Sequence, residues 1–486
     1  MNKAALITID ATKTYAISPY IYGVNFPDWS GMSGITIPLA RQGGNRMTAY
    51  NWETNASNAG SDWKHQNDSY MDKTDEPGHT VRTYLEGALQ HKATAIVTVP
   101  MAGYVAADKK GDGDVNQTPN FLQTRFHRSL PKKSGKLVYP PDTRDRAVYQ
   151  DEFVAWIEKL KGKGEIWYAL DNEPDLWAGT HVRIVPKTPT YAAFLERSIA
   201  YAAAIKTVAP RTKILGPVSY GWQGFRRFQD AADANNRDFL DFYLSGMRAA
   251  EKKTGKRLLD FLDIHFYPEA QGEGGRITED KPGNAEARIQ APRSLWDANY
   301  IEKSWITQSL GNKPIALLPR VLKQIATHYP GTKLSITEYH YGGRNEISGA
   351  LSQADVLGIY GRYGVFAACI WGMGAKDTAQ LAGFRAFDGF GEQGLKVSGE
   401  TPAEDSVYAA RSSKRPGNLS VVALNKTEQP REFTLALKGA SARSVTATAI
   451  TEGSLTRSIR LPARVQGGKV VFTAPALSIV RLELAG

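Results

Sequence analysis

Two glutamates stand out by where the chain puts them. Glu173 follows the apolar run Ile166–Leu170 in IWYALDNEPDLW, which Asp171-Asn172-Glu173-Pro174 cuts short. Glu338 closes a second apolar run in LSITEYHYG. They lie far apart in sequence, so only a fold can bring them together. Two opposed carboxylates are the equipment of glycosidic-bond hydrolysis. One is protonated and donates to the leaving oxygen, while the other attacks the anomeric carbon or activates water. A separation of about 5–5.5 Å gives retention of configuration and about 6.5–9.5 Å gives inversion. The acid needs a pKa raised by burial or by its neighbour's charge. A single Glu at a strand end is ordinarily a cap or an ion-pair partner. The pair is what argues for chemistry.

Several residues could support that pair. The Asn172 amide could hydrogen-bond a sugar 2-OH, a contact that strengthens in the transition state, or it could form an Asx turn or helix cap. Pro174 fixes the backbone after Glu173 and favours an extended conformation there. Arg41 closes a strand in ARQGGN and could bridge to Glu338, keeping it ionised. Gly43-Gly44 permits the sharp turn that follows. In DIHFYP, His265 or Tyr267 could hydrogen-bond and orient the nucleophile, although His265 also reads as a core histidine. Sugar rings have apolar faces on which a Trp can stack. Trp29, Trp52, Trp63, Trp177, Trp222 and Trp371 are candidates; Trp371, at a strand end, is the platform chosen. Trp156 and Trp167 fit packing positions, and Asp171 and Asp175 read as caps or supports.

The elements that must position these residues alternate along the first two-thirds of the chain. Strand candidates are Tyr20–Phe26, Ile37–Arg41, Ala93–Met101, Ile166–Leu170, Lys213–Ser219, Phe261–Tyr267, Leu334–Tyr339 and Ala367–Trp371. Most are short, apolar and unalternating, as strands buried on both faces are. Helical stripes fall between them. Phe153, Trp156, Ile157 and Leu160 make one, and Phe239, Leu240, Tyr243, Leu244 and Met247 another. Eight strands separated by helices predict an α/β fold, a (β/α)8 barrel. The long connections Gln42–Asp75, Ala102–Val148 and Glu269–Pro314 would then sit on the face where such barrels build their sites. After about residue 385 the helices stop. Short strands with turns such as Pro416-Gly417 and Gly467-Gly468 predict a β-sandwich. The N-terminal strand ALITIDATKTYAIS either opens the barrel or joins that sandwich. The expected division is a barrel over 20–385 and a sandwich over 1–19 plus 386–486.

Composition narrows the field. The 486 residues are 42% hydrophobic and 22% charged, which is ordinary globular composition. The net charge of +11 is spread among acids rather than clustered, so it describes a solvated surface and no nucleic-acid partner is expected. No run of about 18 apolar residues marks a membrane span. The single Cys369 excludes an intramolecular disulfide and sits in an apolar run, as an inert buried thiol does. No close His pair suggests zinc. Asp108, Asp112 and Asp114 in ADKKGDGDV suit either Ca²⁺ or a solvated acidic loop, and Glu53 and Asp151 from neighbouring loops could join them as ligands.

Asn172-Glu173-Pro174 on strand four with Glu338 on strand seven resembles the large clan of retaining (β/α)8 glycosidases. More narrowly, RQGGNRMTAYNWETNASNAGSDWKHQNDSY (Arg41–Tyr70), YQDEFV and NEPDLW resemble glycoside hydrolase family 44. The resemblance covers nearly the whole chain. It implies a retaining endo-β-1,4-glucanase acting on cellulose and carboxymethylcellulose, with xyloglucan and xylan as further substrates. It makes Glu173 the acid/base and Glu338 the nucleophile. It also implies structural calcium. No cofactor is expected for the chemistry. The N-terminus MNKAALITIDATKTY has no long apolar stretch of the signal-peptide kind, so the protein is either cytoplasmic or has lost a leader, and a secreted monomer is the expectation taken. The alternatives are another retaining polysaccharide hydrolase (a xylanase, mannanase or arabinofuranosidase) or a non-catalytic carbohydrate-binding protein.

Overall fold

Eight parallel strands close into a barrel in the computed structural model, which describes residues 4–32 and 34–486. They are β1 Gly23–Asn25, β2 Leu39–Gln42, β3 Thr94–Val99, β4 Ile166–Leu170, β5 Lys213–Ser219, β6 Phe261–Phe266, β7 Lys333–Tyr339 and β8 Ala367–Ile370. Each pairs with the next, and β8 returns to β1 through Cys369 opposite Gly23. Apart from the exposed Lys213 and Lys333, every residue in these strands is buried, which is why they lack polar alternation. The first strand is shorter than the sequence suggested. Pro19–Ile21 forms a 3₁₀ turn capped by the Ser18 side chain, so pairing starts at Gly23.

Side chains from alternate strand positions fill the barrel. Leu39, Ile96, Trp167, Leu215, Phe261 and Cys369 form an interior cluster, floored by Tyr20 and Phe366. Trp167 packs against Phe261 with ring centroids 4.8 Å apart. The opposite strand faces join the helices in a larger core. The predicted stripe of Phe153, Trp156 and Ile157 lies on the helix Gln150–Leu160, and the second stripe lies on Phe239–Thr254 between the Asp238 N-cap and Gly255. Long segments leave the C-terminal ends of β2, β3 and β6 and carry their own small sheets and helices. No helix among the described residues is long and apolar enough to cross a membrane.

The C-terminal strands form one continuous ten-stranded sheet. Ala5–Ala16 belongs to it, antiparallel to Gln393–Ser398 and parallel to Arg431–Lys438. Residues 1–3 lie outside the described residues. Alternate side chains from across the sheet, including Ile7, Ile9, Val421, Phe433, Leu435, Phe472 and Leu482, share one core. The layers of the expected sandwich are thus parts of a single curled sheet. Its other face packs on the barrel helix Ile347–Tyr363. There Asp355 accepts from Lys426 Nζ at 2.7 Å and from the Tyr408 hydroxyl at 2.6 Å, with the ion pair 1% exposed on each side. Gly358 permits the approach, because a Cβ there would sit 2.3 Å from the Tyr408 ring. Removing one partner of such a sealed pair would cost about 3–5 kcal/mol.

Candidate active site

The strand ends of β2, β4, β6 and β7 converge on one cluster. Glu338 is the penultimate residue of β7, and the β6–β7 register shifts so that His265 lies opposite it. The Glu338 carboxylate accepts from Arg41 Nη1 through Oε1 at 2.7 Å and from the Tyr267 hydroxyl through Oε2 at 2.8 Å. Arg41 is fully buried at the end of β2. Its guanidinium also donates to Asn25 Oδ1 at 3.0 Å and to Asn172 Oδ1 at 2.7 Å. A carboxylate held by a guanidinium and a phenol is in the environment of an anion.

Glu173 sits in a curled backbone rather than the extended one expected before proline. Its φ is 43° and ψ 56°, and Asp171 has φ 67°. Tertiary hydrogen bonds overrule the local preference. Glu173 N–H donates to Val218 O at 2.9 Å, at a point where β5 is itself irregular and Val218 has φ 59°. Asp171 receives Thr48 Oγ1 at 2.6 Å, its neighbour Asn172 N at 2.7 Å, Ala102 N at 3.1 Å, and Met101 N. Trp177 Nε1 donates to Asn172 O at 3.0 Å. Strained φ values of this kind cost about 1–3 kcal/mol each and persist only where the surroundings fix them.

The two glutamates face different surroundings. Burial pushes Glu173 up to about 7, against the pull of Arg41 and with a small further push from Asp62. His265, fully buried, is held down at about 4 by its burial and is neutral at ordinary pH. Its Nδ1 lies 2.8 Å from Glu173 Oε1 and 3.5 Å from Glu338 Oε2. His265 therefore bonds the Glu173 carboxyl, whereas the sequence pointed it at the Glu338 side; Tyr267 alone of that pair bonds Glu338. One carboxyl oxygen of Glu173 and one of Glu338 lie within 4.8 Å of each other and of a His265 nitrogen. Asp175, beside Glu173, accepts from Tyr220 N at 3.1 Å, and burial followed by the Glu173 charge raises its pKa well above the usual range.

Asn172 places its amide oxygen against Arg41 and against Gly44 N at 3.1 Å, which leaves the amide nitrogen as its free end. Next to it runs a cleft of about 900 Å³ lined by Phe26, Gly44, Arg46, Trp63, Tyr70 and Trp371, among others. Trp371 stands over Gly44, which has φ 79° and whose added Cβ would fall 2.7 Å from the indole. Trp63 is 55% exposed and available for stacking. The other Trp candidates lie elsewhere. Trp52, Trp177 and Trp222 are buried, and Trp29 stacks on His91 at 4.3 Å.

The expected calcium ligands do not assemble. Arg125 occupies the acidic loop, donating to Asp108 Oδ2 at 2.6 Å and to Asp112 Oδ1 at 2.7 Å, while Arg183 takes Asp114 at 2.6 Å. Resident guanidinium charge replaces the cation the loop suggested. Asp151 receives Lys133 N on both oxygens at 3.1 Å, at the start of its helix. Glu53 is the exception. Burial, then the charges of Asp145 and Glu152, push it up to about 8, and Glu152 Oε2 is buried without a hydrogen-bond partner. Lys133 Nζ donates to Glu152 Oε1 at 2.7 Å, which leaves Glu53 as a buried carboxyl of this locus with no cation bonded to it among the described residues. Among the described residues, three side chains of metal-ligating type gather closely only at Glu173, His265 and Glu338, where Arg41 already supplies positive charge.

Sequence reasoning missed Asn25, whose Nδ2 donates to Thr337 O at 2.8 Å and whose oxygen holds Arg41. It also missed Asp263 and Thr337 beneath His265. Asp263, His265 and Tyr267 alternate along one strand, and that period could have exposed the first of them.

The model of glycoside hydrolase family 44 matches residues 56–270. The chain is 39% identical over 456 residues to endoglucanase A of Paenibacillus lautus, covering 87% of this chain and 64% of that protein. A family 44 xyloglucanase from Paenibacillus polymyxa, solved with xyloglucan, superposes with a TM-score of 0.92 at 34% identity over 100% of both chains. A family 44 endoglucanase from Clostridium thermocellum superposes with a TM-score of 0.92 at 37% identity, covering 99% of this chain and 100% of that one.

Proposed function

The chain belongs to glycoside hydrolase family 44, and from that premise we propose that it is a retaining, endo-acting hydrolase of β-1,4-glucans. The observation that carries the proposal is the spacing within 4.8 Å of carboxyl oxygens from Glu173 and Glu338. So close an approach of one oxygen from each carboxyl supports the retaining arrangement over the wider inverting one.

In the first step a Glu338 oxygen bonds to the anomeric carbon as the bond to the leaving oxygen breaks. Glu173 gives that oxygen its proton. Arg41 and Tyr267 hold the attacking carboxylate in line and ionised. In the second step the Glu173 carboxylate takes a proton from water. The water oxygen bonds to the anomeric carbon and Glu338 leaves. A pKa near 7 lets one group serve as acid and then as base. The free Asn172 amide nitrogen bonds the sugar 2-OH, and Trp371 supplies the stacking face of the cleft.

The open cleft suits an extended chain, and the likeness to a xyloglucanase supports branched glucan as a substrate. The chemistry needs no cofactor in this reading. A structural Ca²⁺ would be held at Glu53, where its charge would offset that buried carboxyl. A polymeric substrate places the enzyme outside the cell, and a site built from one chain needs no second copy. Carboxymethylcellulose, xyloglucan, xylan and mannan, digested side by side with product sizing, test the assignment. Oligosaccharides from the first two are expected. Release of single sugars only, or cleavage confined to mannan, would contradict it.

A further inference from the structure

Below the two glutamates a chain of hydrogen bonds runs into the barrel. Glu173 Oε1 lies 2.8 Å from His265 Nδ1. His265 Nε2 lies 3.3 Å from Thr337 Oγ1, and Thr337 Oγ1 lies 2.6 Å from Asp263 Oδ2. Asp263, His265 and Thr337 are all 0% exposed. The chain ends at Asp263, whose remaining contacts are with donors: Ser335 Oγ at 2.9 Å and Thr337 N at 3.2 Å, both on Oδ1.

We propose that Asp263 is a positioning residue for the acid/base, setting the tautomer of His265 through Thr337 so that Nδ1 presents a lone pair to Glu173. A carboxyl surrounded by donors acts as an acceptor, and a 2.6 Å hydroxyl contact is the length of a charge-assisted bond. The Thr337 proton is thereby committed to Asp263. Thr337 Oγ1 then has only lone pairs to offer Nε2, so Nε2 carries the imidazole proton. The bare Nδ1 needs a proton from its partner, and that partner is Glu173. The arrangement favours the protonated acid in the free enzyme, the form the first step requires.

Moving one proton along each link gives the alternative state. Glu173 gives its proton to Nδ1, Nε2–H passes to Thr337, and the Thr337 hydroxyl proton passes to Asp263. The number of protons is unchanged, and Glu173 is ionised while Asp263 is neutral. The choice between the two states is set by the charges of Arg41 and Glu338 around Asp263 and His265 and of Arg41 and Asp62 around Glu173, with the titratable but neutral Tyr267, Cys369 and Asp175 completing the surroundings. Burial raises the Asp263 pKa, and His265, Arg41 and the hydrogen bonds from Thr337 and Ser335 oppose that rise.

This inference rests on Glu173 being the acid/base, so its test includes a readout that needs no turnover. The protein is labelled with ¹⁵N-histidine, His265 is assigned by its loss in His265→Gln, and the ring nitrogens are observed directly. Wild type is expected to show protonated Nε2 and bare Nδ1. In Asp263→Asn the new amide donates to Thr337, Thr337 donates to Nε2, and the ring proton moves to Nδ1. An Nδ1–H donor stabilises ionised Glu173, so the alkaline limb of kcat/KM should move to lower pH by about one unit. Thr337→Val should move the limb the same way and Thr337→Ser should restore it, which keeps the test open if Asp263→Asn fails to fold. Activity on aryl glycosides with good leaving groups should fall less than activity on polysaccharide. A protonated Nδ1 in wild type, or an unmoved limb in a folded Thr337→Val or Asp263→Asn, overturns the proposal. A wild-type protein with the expected tautomer but no hydrolysis of any glycoside would overturn the acid/base reading instead.

Discussion

Arg41 and Glu338 meet at 2.7 Å, with the guanidinium completely shielded from solvent. The same fork reaches Asn25 and Asn172, so one side chain fixes Glu338 and the residue before Glu173. Lysine keeps the charge but lacks the planar fork. Arg41→Lys should lower kcat/KM by roughly 10²-fold or more, the scale of losing a preorganised charge contact. A fall below tenfold, with stability unchanged, would mean the fork is dispensable.

Glu173 gives a pH prediction with a definite sign. Its folded pKa, about 7, lies above the ordinary 4.5, so the native state holds a proton that the unfolded chain releases. Its contribution to stability is therefore full at low pH and is lost as pH rises from about 4.5 to about 7. Glu173→Gln removes the ionised form. The variant should gain stability over wild type above pH 7, approaching about 3 kcal/mol, with the difference vanishing in acid. Thermal melts across pH check this. Asp171 and Glu53 titrate in both proteins and cancel in the difference curve, which reports Glu173 together with its coupling to Asp175.

Trp371 and Gly44 test the stacking platform. Trp371→Ala should reduce kcat/KM on polysaccharide by about tenfold or more, equivalent to about 1.4 kcal/mol of lost binding. Gly44→Ala should act in the same direction, because its Cβ would fall 2.7 Å from the indole at a backbone φ of 79°. Equal kinetics in Trp371→Ala and wild type would assign the platform elsewhere in the cleft.

At the Glu53 locus, added Ca²⁺ should raise the melting temperature and a chelator should lower it, by the linkage of a ligand that binds only the folded state. Glu53→Gln should abolish the response, while a chelator-insensitive melt would remove the cation from the account.

The barrel was legible because strands buried on both faces announce themselves as short apolar runs, and all eight fall where those runs do. IWYAL and KILGPVS match their strands end to end, while GVN was overextended because Pro19 turns the chain before it. In the curled sheet, Ile459–Leu461 and Ala463–Gln466 escaped notice because they are exposed edge strands with little apolar signal. The two glutamates were legible as strand-end acids. Asn25 and Thr337 were not, because their roles come from neighbours across the barrel rather than from local spacing. The acidic loop misled for a related reason. Arg125 neutralises Asp108 and Asp112 from more than ten positions downstream, and composition alone does not show where its side chain turns.

The central claim is a double displacement between Glu173 and Glu338, and the configuration of the first-formed product tests it most directly. Cleavage of a β-glucan oligosaccharide is followed by proton NMR before the sugar mutarotates. The account predicts that the new reducing end appears first as the β-anomer. It also predicts that azide restores turnover of an activated substrate by Glu173→Ala, giving the β-glycosyl azide, whereas Glu338→Gly gives the α-azide. First appearance of the α-anomer from the wild-type enzyme would contradict the double displacement and assign the pair to an inverting mechanism.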